Sequence, residues 1–229
     1  RSKAKLRVGM DIPTNAEIRR ILDTAAGRYR PLLVTMIFTG IRASEARGLR
    51  WEDVDLGKAQ LHIRQRADRY GEVAMPKSEA GQRTVPLPPM VVNTLKEWKL
   101  ACPNSEAGLV FPNAAGNIES HQNMLQRGLW PTQIKAGMGV PTGKFDEKGN
   151  PIMAPKYSGF HALRHWYASW LINRKSDGGL ELPAKTVQTR MGHSSIQVTF
   201  DTYGHLFPST DEGAEMAAAE MALFAINAT

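Results

Sequence analysis

The sequence predicts a mostly helical α+β domain that carries a small three-stranded antiparallel sheet and ends in a helix. Helical apolar spacing with capping signals dominates both ends of the chain, and strand-like alternation is confined to residues 58–87. In addition, 42% of the 229 residues are hydrophobic. A chain of this size and composition buries a substantial core as one domain, with or without an appendage.

The first helices are predicted by their start and stop signals. Thr14-Asn-Ala-Glu17 has the pattern of a capping box, which opens an amphipathic helix. Pro31 fits the first turn of a second, apolar helix that should stop near Gly40. Arg42 follows this stop and precedes another short helix, so we expect it to lie on a rigid element.

The sheet is predicted by alternation of apolar and polar residues. This alternation occurs at residues 61–64 and again at residues 84–87, and both stretches fit half-buried strands. Residues 70–76 predict a weaker strand of the same sheet, followed by a turn. Lys77 is therefore expected near a hairpin tip.

After the sheet the pattern is helical again, with one interruption. Pro89 opens a helix whose apolar side should carry Val92, Leu95 and Leu100. Repeated Gly and Pro break the helical pattern over residues 139–157, which indicates a long surface loop or hairpin.

Charge is distributed unevenly. Residues 1–200 carry all 29 Lys and Arg against 17 acidic residues, whereas residues 201–229 carry five acidic residues and no Lys or Arg. A basic body suggests nucleic acid as its partner and an acidic tail suggests protein, although a solvated basic surface explains the charge equally well. With no membrane-spanning apolar run, no secretory signal and a single cysteine, Cys102, we expect a cytoplasmic protein without disulfides.

Chemistry-bearing residues cluster in the last third of the chain. His161 and Arg164 are three residues apart, so they share one helix face beside an apolar stripe. His161 and His165 have a spacing that could hold zinc, with His193 or His205 as a third ligand. The fixed charge of Arg164 opposes a dication and suits an anionic phosphate, so phosphate chemistry is the preferred interpretation.

Five motifs in this order resemble the signature of the tyrosine recombinases, the phage integrase family. The resemblance extends over about residues 11–207. Each motif is weak by itself, but their order and spacing make the combination specific. The motifs are Arg42 in Thr-Gly-Ile-Arg-Ala-Ser-Glu, Lys77, His161-Ala-Leu-Arg164-His165, Met191-Gly192-His193, and Tyr203 in Asp-Thr-Tyr-Gly-His.

The resemblance implies that Arg42 and Arg164 clamp a DNA phosphate. Phosphoryl transfer spreads negative charge over the non-bridging oxygens, and guanidinium groups can hold these oxygens bidentately. With two arginines in this role, neither a metal ion nor another cofactor is expected.

The resemblance also implies roles for the other motif residues. Tyr203 is the expected nucleophile, and His161 is expected to assist loss of its proton, since a free phenol has a pKa of about 10. Lys77 is expected to protonate the departing 5′-hydroxyl. His193 should bind the phosphate or pack against the site, and Glu45 should orient the cluster or be purely structural.

Two other phenols compete with Tyr203 for the role of nucleophile. Tyr167 lies on an apolar helical stripe and Tyr157 lies in the loop before it, so both fit a nucleophile less well. The residues before Tyr203, among them Val198 and Phe200, are expected to pack inward.

The function implied is that of a site-specific DNA recombinase, or integrase. It would cleave and rejoin strands through a covalent 3′-phosphotyrosine without metal or ATP, and so integrate or excise a mobile element. Three alternatives stay open: type IB topoisomerase-like relaxation, a non-catalytic DNA-binding relative, and a hydrolytic nuclease. Covalent trapping on DNA separates the first of these from the other two.

The resemblance also implies an organisation and partners. Residues 1–10 resemble a basic linker, residues 11–207 the catalytic domain, and residues 208–229 a docking helix with an apolar stripe at Met216, Ala219, Leu223 and Ile226. An N-terminal core-binding domain is expected to be missing. We expect double-stranded DNA attachment sites, a homo-tetramer linked by the docking helix, an accessory directionality factor, and a bacterial or phage origin.

Overall fold

Helix α2 (Arg30–Thr39) is central to the fold because it is apolar on all sides. Eight of its ten residues are buried, as expected for a helix without a polar face. It packs against α1 (Asn15–Thr24), α4 (Pro89–Ala101) and α7 (His161–Ile172). This arrangement belongs to a computed structural model, which describes residues 5–76, 78–208 and 212–225.

The remaining helices are short, apart from the last. Residues 121–138 form one composite segment in which two π-helical stretches alternate with α-helical turns. No helix in the part of the chain that the structure describes is long and apolar enough to cross a membrane. The further helices are α3 (Ala43–Gly48), α5 (His121–Asn123), α6 (Trp130–Gln133), α8 (Ala184–Met191), α9 (Ile196–Tyr203) and α10 (Glu212–Ala225).

The predicted helix signals are confirmed. The Thr14 hydroxyl accepts a bond of 3.2 Å from the backbone N–H of Glu17, whose carboxylate accepts one of 2.8 Å from the N–H of Thr14. These reciprocal bonds are the predicted capping box. Pro31 lies in the first turn of α2, and Gly40 ends that helix in the left-handed conformation at φ +60°.

The sheet has three antiparallel strands, as predicted, but one of the three is not the strand that was predicted. Its order is β1 (Val54–Asp55), β2 (Gln60–Ile63) and β5 (Arg83–Pro86). The stretch at residues 70–76 was wrongly placed in this sheet. Within it, β4 (Val73–Ala74) pairs with β3 (Arg66–Ala67) as a separate ribbon. Lys77 lies outside the described residues.

Helix α4 begins at Pro89 as predicted, but its buried face is not the predicted one. Val92 and Leu95 are buried, whereas Leu100 is 92% exposed. Leu100 follows Leu95 by five positions. Because residues on one helix face recur every three or four positions, Leu100 points well away from the face of Leu95. Val91 and Trp98 complete the buried face instead.

Residues 139–157 contain a β-hairpin, in agreement with the prediction of a loop or hairpin. Its strands are β6 (Gly139–Phe145) and β7 (Pro151–Pro155), which pair in antiparallel fashion. Buried Glu17 anchors the base of the hairpin by accepting bonds from the Lys156 ammonium at 2.6 Å and the Tyr157 hydroxyl at 2.9 Å. The hairpin therefore projects from a fixed base.

The turn at Gly40 gives a test of the fold. A Cβ at Gly40 would lie 2.3 Å from Cδ1 of buried Tyr167, on a backbone at φ +60°. Gly27 has nearly the same φ, +58°, but a Cβ there would meet no atom within 4 Å. The left-handed conformation costs a side chain about 1–2 kcal/mol, and overpacking adds about 1–3 kcal/mol. We expect Gly40→Ala to lower the free energy of unfolding by about 2–5 kcal/mol and Gly27→Ala by only about 1–2 kcal/mol.

Urea unfolding of both variants measures this difference. Equal losses at the two positions would show that contact with Tyr167 does not constrain the turn.

Candidate active site

The candidate site forms where the corner between α2 and α3 meets the turn between α8 and α9. Arg42 is the residue directly before α3, and its guanidinium donates to the carbonyl oxygen of Gly192 at 3.3 Å. Arg164, in the second turn of α7, donates to the carbonyl oxygens of Gly40 and Met191. The two arginines therefore join chain segments that are about 150 residues apart.

A buried carboxylate, Glu45, organises the arginines. It accepts bonds from Arg83 at 2.9 and 3.1 Å, and from both the guanidinium and the backbone N–H of Arg42 at 2.8 Å. Burial opposes ionisation of Glu45, but the hydrogen bonds and charge of Arg83, with the charge of Arg42, lower its pKa to about 2. Glu45 is therefore ionised at neutral pH.

Arg164 is buried among other positive charges. Burial, then the charges of Arg42 and Arg83, lower its pKa to about 9, while Glu45 opposes this shift. The guanidinium is thus still protonated near pH 7. The side chain of Arg42, in contrast, is 37% exposed and is the more accessible of the two arginines.

The rings of His193 and Tyr203 are in contact. His193 lies shortly before α9, and Tyr203 is the last residue of that helix. Their rings stack with centroids 6.0 Å apart and planes only 10° from parallel. Nδ1 of His193 lies 2.9 Å from the hydroxyl of Thr199, and its backbone is held by Gln188. Burial raises the pKa of Tyr203 to about 12, although Arg164 and Arg42 act in the opposite direction.

The histidine at the tyrosine hydroxyl is His165. Its Nδ1 lies 2.8 Å from Oη of Tyr203. His161, which the sequence assigned to this proton, is exposed, and its ring centroid lies 6.3 Å from that of His165. Burial, then the charges of Arg164 and Arg42, lower the pKa of His161.

The other two phenols are engaged elsewhere. Tyr157 is buried and donates to Glu17, while Tyr167 is buried beneath Gly40. Burial raises the pKa of both phenols. The expected inward packing of Val198 and Phe200 is wrong, since these side chains are 39% and 47% exposed.

A basic cleft of about 650 Å³ opens on the Arg42 side of the site. Pro76 and Ser78, the neighbours of Lys77 in the sequence, line this cleft. Arg66 and Arg69 contribute further positive charge to it. The cleft therefore gives an anionic ligand access to Arg42.

The zinc alternative has little support from the geometry. Within residues 5–76, 78–208 and 212–225, no three His, Cys, Asp or Glu side chains form a group able to hold a metal ion. His193 is instead bonded to Thr199, and His205 lies 2.8 Å from the carbonyl oxygen of Leu6.

The sequence interpretation overlooked Arg83 and gave His165 only a possible zinc role. A signal for Arg83 existed, because extending the alternation of β5 backwards places this arginine at an inward-facing position two residues before Val85. A charged residue at such a position requires a buried partner. The partner could not be identified, because Glu45 is 38 residues away in sequence.

The pair of Arg83 and Glu45 gives a test of how the site is held together. Removing one partner of a buried ion pair typically costs about 3–5 kcal/mol. We expect Arg83→Met to lower the free energy of unfolding by about that amount, and Arg83→Met with Glu45→Met to lose less than the sum of the single losses. A double-mutant cycle in urea measures the coupling, and additive losses would contradict it.

The same pair predicts a pH dependence. The pKa of Glu45 is lowered from 4.5 to about 2, so its contribution to stability is fully present above about pH 4.5 and is lost as pH falls towards 2. We expect the acid-induced loss of stability in this range to be smaller in Arg83→Met than in the wild type. Unfolding titrations between these pH values measure it, and identical slopes would contradict the assignment.

Known proteins share this sequence pattern. Residues 13–210 match the model of the phage integrase family. The chain is 28% identical to a XerC-like tyrosine recombinase of Caldanaerobacter subterraneus, covering 89% of this chain and 52% of the relative. It is 24% identical to the prophage integrase IntR of Escherichia coli, covering 86% of this chain and 48% of the relative. The chain thus spans about half the length of these curated relatives.

Solved structures share the fold. The integrase of transposon Tn1549, solved with transposon right end DNA, superposes with a TM-score of 0.69 at 20% identity, covering 96% of this chain and 67% of that chain. The catalytic domain of bacteriophage HP1 integrase gives a TM-score of 0.51 at 20% identity, covering 90% of this chain and 93% of that chain. Since the sequence match spans most of its length, the chain belongs to the phage integrase family.

Proposed function

We propose that this chain carries the catalytic site of a site-specific DNA recombinase, which cleaves and rejoins strands through a covalent 3′-phosphotyrosine. The observation that carries the proposal is the convergence of Arg42, Arg164, His193 and Tyr203 from three separate segments. Family membership and the fold support the same reaction. Residues 11–207 form the catalytic domain in this proposal.

The electrostatics of the site suit a phosphodiester. Arg42, Arg83 and Arg164 contribute three positive charges, and Glu45 supplies one negative charge among them. The remaining excess charge attracts an anion and stabilises the charge that develops on the non-bridging oxygens in the transition state. Arg42 is the group we assign to direct phosphate contact, since its side chain is partly exposed beside the cleft.

Tyr203 is the proposed nucleophile. Its hydroxyl is held by a hydrogen bond and its ring is supported by His193. Such support places the nucleophile at a fixed position relative to the arginines. Burial raises its pKa to about 12, and the charges of Arg164 and Arg42 act against this rise. We assign exposed His161 to a hydrogen bond with the phosphate, because it lies in the field of the same two arginines.

Lys77 is the proposed donor of a proton to the departing 5′-oxygen. Support comes from its sequence neighbours Pro76 and Ser78, which line the cleft together with Arg42. A lysine reaching this cleft would be close to the phosphate that Arg42 binds. The reverse step returns the proton when a 5′-hydroxyl attacks the phosphotyrosine.

The substrate and assembly follow from charge and from the last helix. The basic body fits double-stranded DNA attachment sites in a bacterial or phage-infected cytoplasm, and a directionality factor is the proposed accessory partner. In α10, Met216, Leu223 and their apolar neighbours are exposed, with Met216 at 74% and Leu223 at 64%. An exposed apolar helix suits docking onto another protomer. Residues 208–229 are thus the proposed link in a homo-tetramer on DNA, although Ile226 lies outside the described residues.

The covalent intermediate provides the first test. We expect the wild type, with EDTA present, to form an SDS-stable adduct with a nicked duplex carrying its attachment site. Tyr203→Phe should form none, since it lacks the attacking oxygen. Tyr70→Phe is the matched control, because this tyrosine is 75% exposed, and it should behave as the wild type.

Each alternative outcome is informative. DNA cleavage that requires metal and survives Tyr203→Phe would indicate a hydrolytic nuclease. Binding without an adduct in any variant would indicate a non-catalytic relative. Relaxation of supercoiled DNA without exchange between two sites would indicate a topoisomerase.

The last helix provides a second test. We expect Leu223→Asp to leave binding to a single DNA site unchanged and to weaken assembly of two sites into one complex at least about tenfold, because a buried unpaired charge opposes docking. Ala222→Asp carries the same charge on a neighbouring face of the helix and is the control. Sedimentation of the DNA complexes measures assembly, and equal effects of the two variants would argue against docking through Leu223.

A further inference from the structure

Two histidines of the described site, His165 and His193, contact Tyr203, and a third, His161, lies beside His165. Nδ1 of His193 lies against the hydroxyl of Thr199. His161 is exposed and has no contact with the phenol among the described hydrogen bonds. Nδ1 of His165 lies 2.8 Å from Oη of Tyr203, and its ring meets the phenol edge to face at 5.8 Å.

We propose that His165 is the catalytic base that takes the proton of Tyr203 as the phenol attacks the DNA phosphorus. This inference rests on the proposed function and assigns one of its steps. It moves that step from His161, which the sequence pattern favoured, to the histidine in direct contact with the reacting oxygen.

The protonation state of His165 fits this role. Burial, then the charges of His161 and Arg164, lower its pKa to about 4, while Asp11 acts weakly in the opposite direction. The imidazole is therefore neutral near pH 7, and with its proton on Nε2 the Nδ1 atom accepts a bond from the phenol. A protonated imidazole would have no free electron pair to offer.

The pKa values also indicate when the proton moves. The phenol holds its proton in the resting state, because its pKa is about 12 and that of His165 about 4. As the bond between Oη and phosphorus forms, the phenolic oxygen loses its basicity, and the bound phosphate anion raises the basicity of the imidazole. Transfer therefore accompanies attack and does not precede it.

The step is balanced in atoms and charge. The O–H bond of Tyr203 breaks, its proton bonds to Nδ1 of His165, and Oη bonds to phosphorus. The bond from phosphorus to the 5′-oxygen breaks, and that oxygen takes a proton from the general acid, assigned above to Lys77. In rejoining, the imidazolium of His165 returns its proton to the departing phenolate.

His165→Asn is the informative variant, because an amide can keep a hydrogen bond near the position of Nδ1 but cannot take the proton. We expect it to bind DNA as the wild type does and to form the adduct about 10²–10⁴-fold more slowly. His62→Asn is the matched control, since this histidine lies on β2 and bonds Thr84. It should react at the wild-type rate.

A modified DNA duplex and a modified tyrosine distinguish a role of His165 as a base from a purely structural role. A duplex with sulfur in place of the 5′-bridging oxygen releases a thiolate that needs no proton, so it should restore Lys77→Ala but not His165→Asn. A fluorinated tyrosine at position 203 is more acidic and depends less on a base. It should therefore reduce the defect of His165→Asn and leave that of His161→Asn unchanged.

Several results would overturn the assignment. An adduct rate for His165→Asn within about threefold of the wild type would do so. So would restoration of this variant by the sulfur leaving group, or a fluorotyrosine effect confined to His161→Asn. Should thermal unfolding show that His165→Asn does not fold, His165→Gln provides the same comparison. Absence of an adduct in the wild type would instead refute the proposed function itself.

Discussion

The ionised carboxylate of Glu45 is the interaction on which the site depends. It bonds the guanidinium groups of Arg42 and Arg83 at distances of 2.8 to 3.1 Å and lies in the electrostatic field of Arg164. Three buried or half-buried guanidinium groups would repel one another without it. Because one negative charge offsets only part of three positive charges, the cluster stays attractive to a phosphate while remaining compatible with folding.

Backbone geometry holds this charge cluster beside Tyr203, the proposed nucleophile. The carbonyl oxygens of Gly40 and Met191 accept from Arg164, and that of Gly192 accepts from Arg42. Gly40 and Gly192 are both left-handed residues that end helices, so their carbonyl groups are available at helix ends. The α8–α9 turn, which presents the carbonyl oxygens of Met191 and Gly192, also carries His193, which stacks on Tyr203. The same turn thereby positions the arginines and the ring of Tyr203.

Local signals explain how much of the structure could be predicted from the sequence. The capping box at Thr14, the stop at Gly40 and the hairpin at residues 139–157 depend on residues close together in the chain, and each was predicted correctly. The partner of Arg83 and the pairing of Val73–Ala74 depend on contacts distant in sequence, which local patterns do not specify. The sequence pattern suggested only a zinc role for His165, because its contact with Tyr203 joins α7 to α9 and becomes visible only in the tertiary structure.

The most direct measurement of the central claim is mass spectrometric mapping of the peptide that is covalently linked to DNA after reaction with an attachment-site duplex. We expect a single linkage, in which the Tyr203 oxygen carries the 3′-phosphate of the cleaved strand. A linkage to Tyr157 or Tyr167, or to a 5′-phosphate, would contradict it.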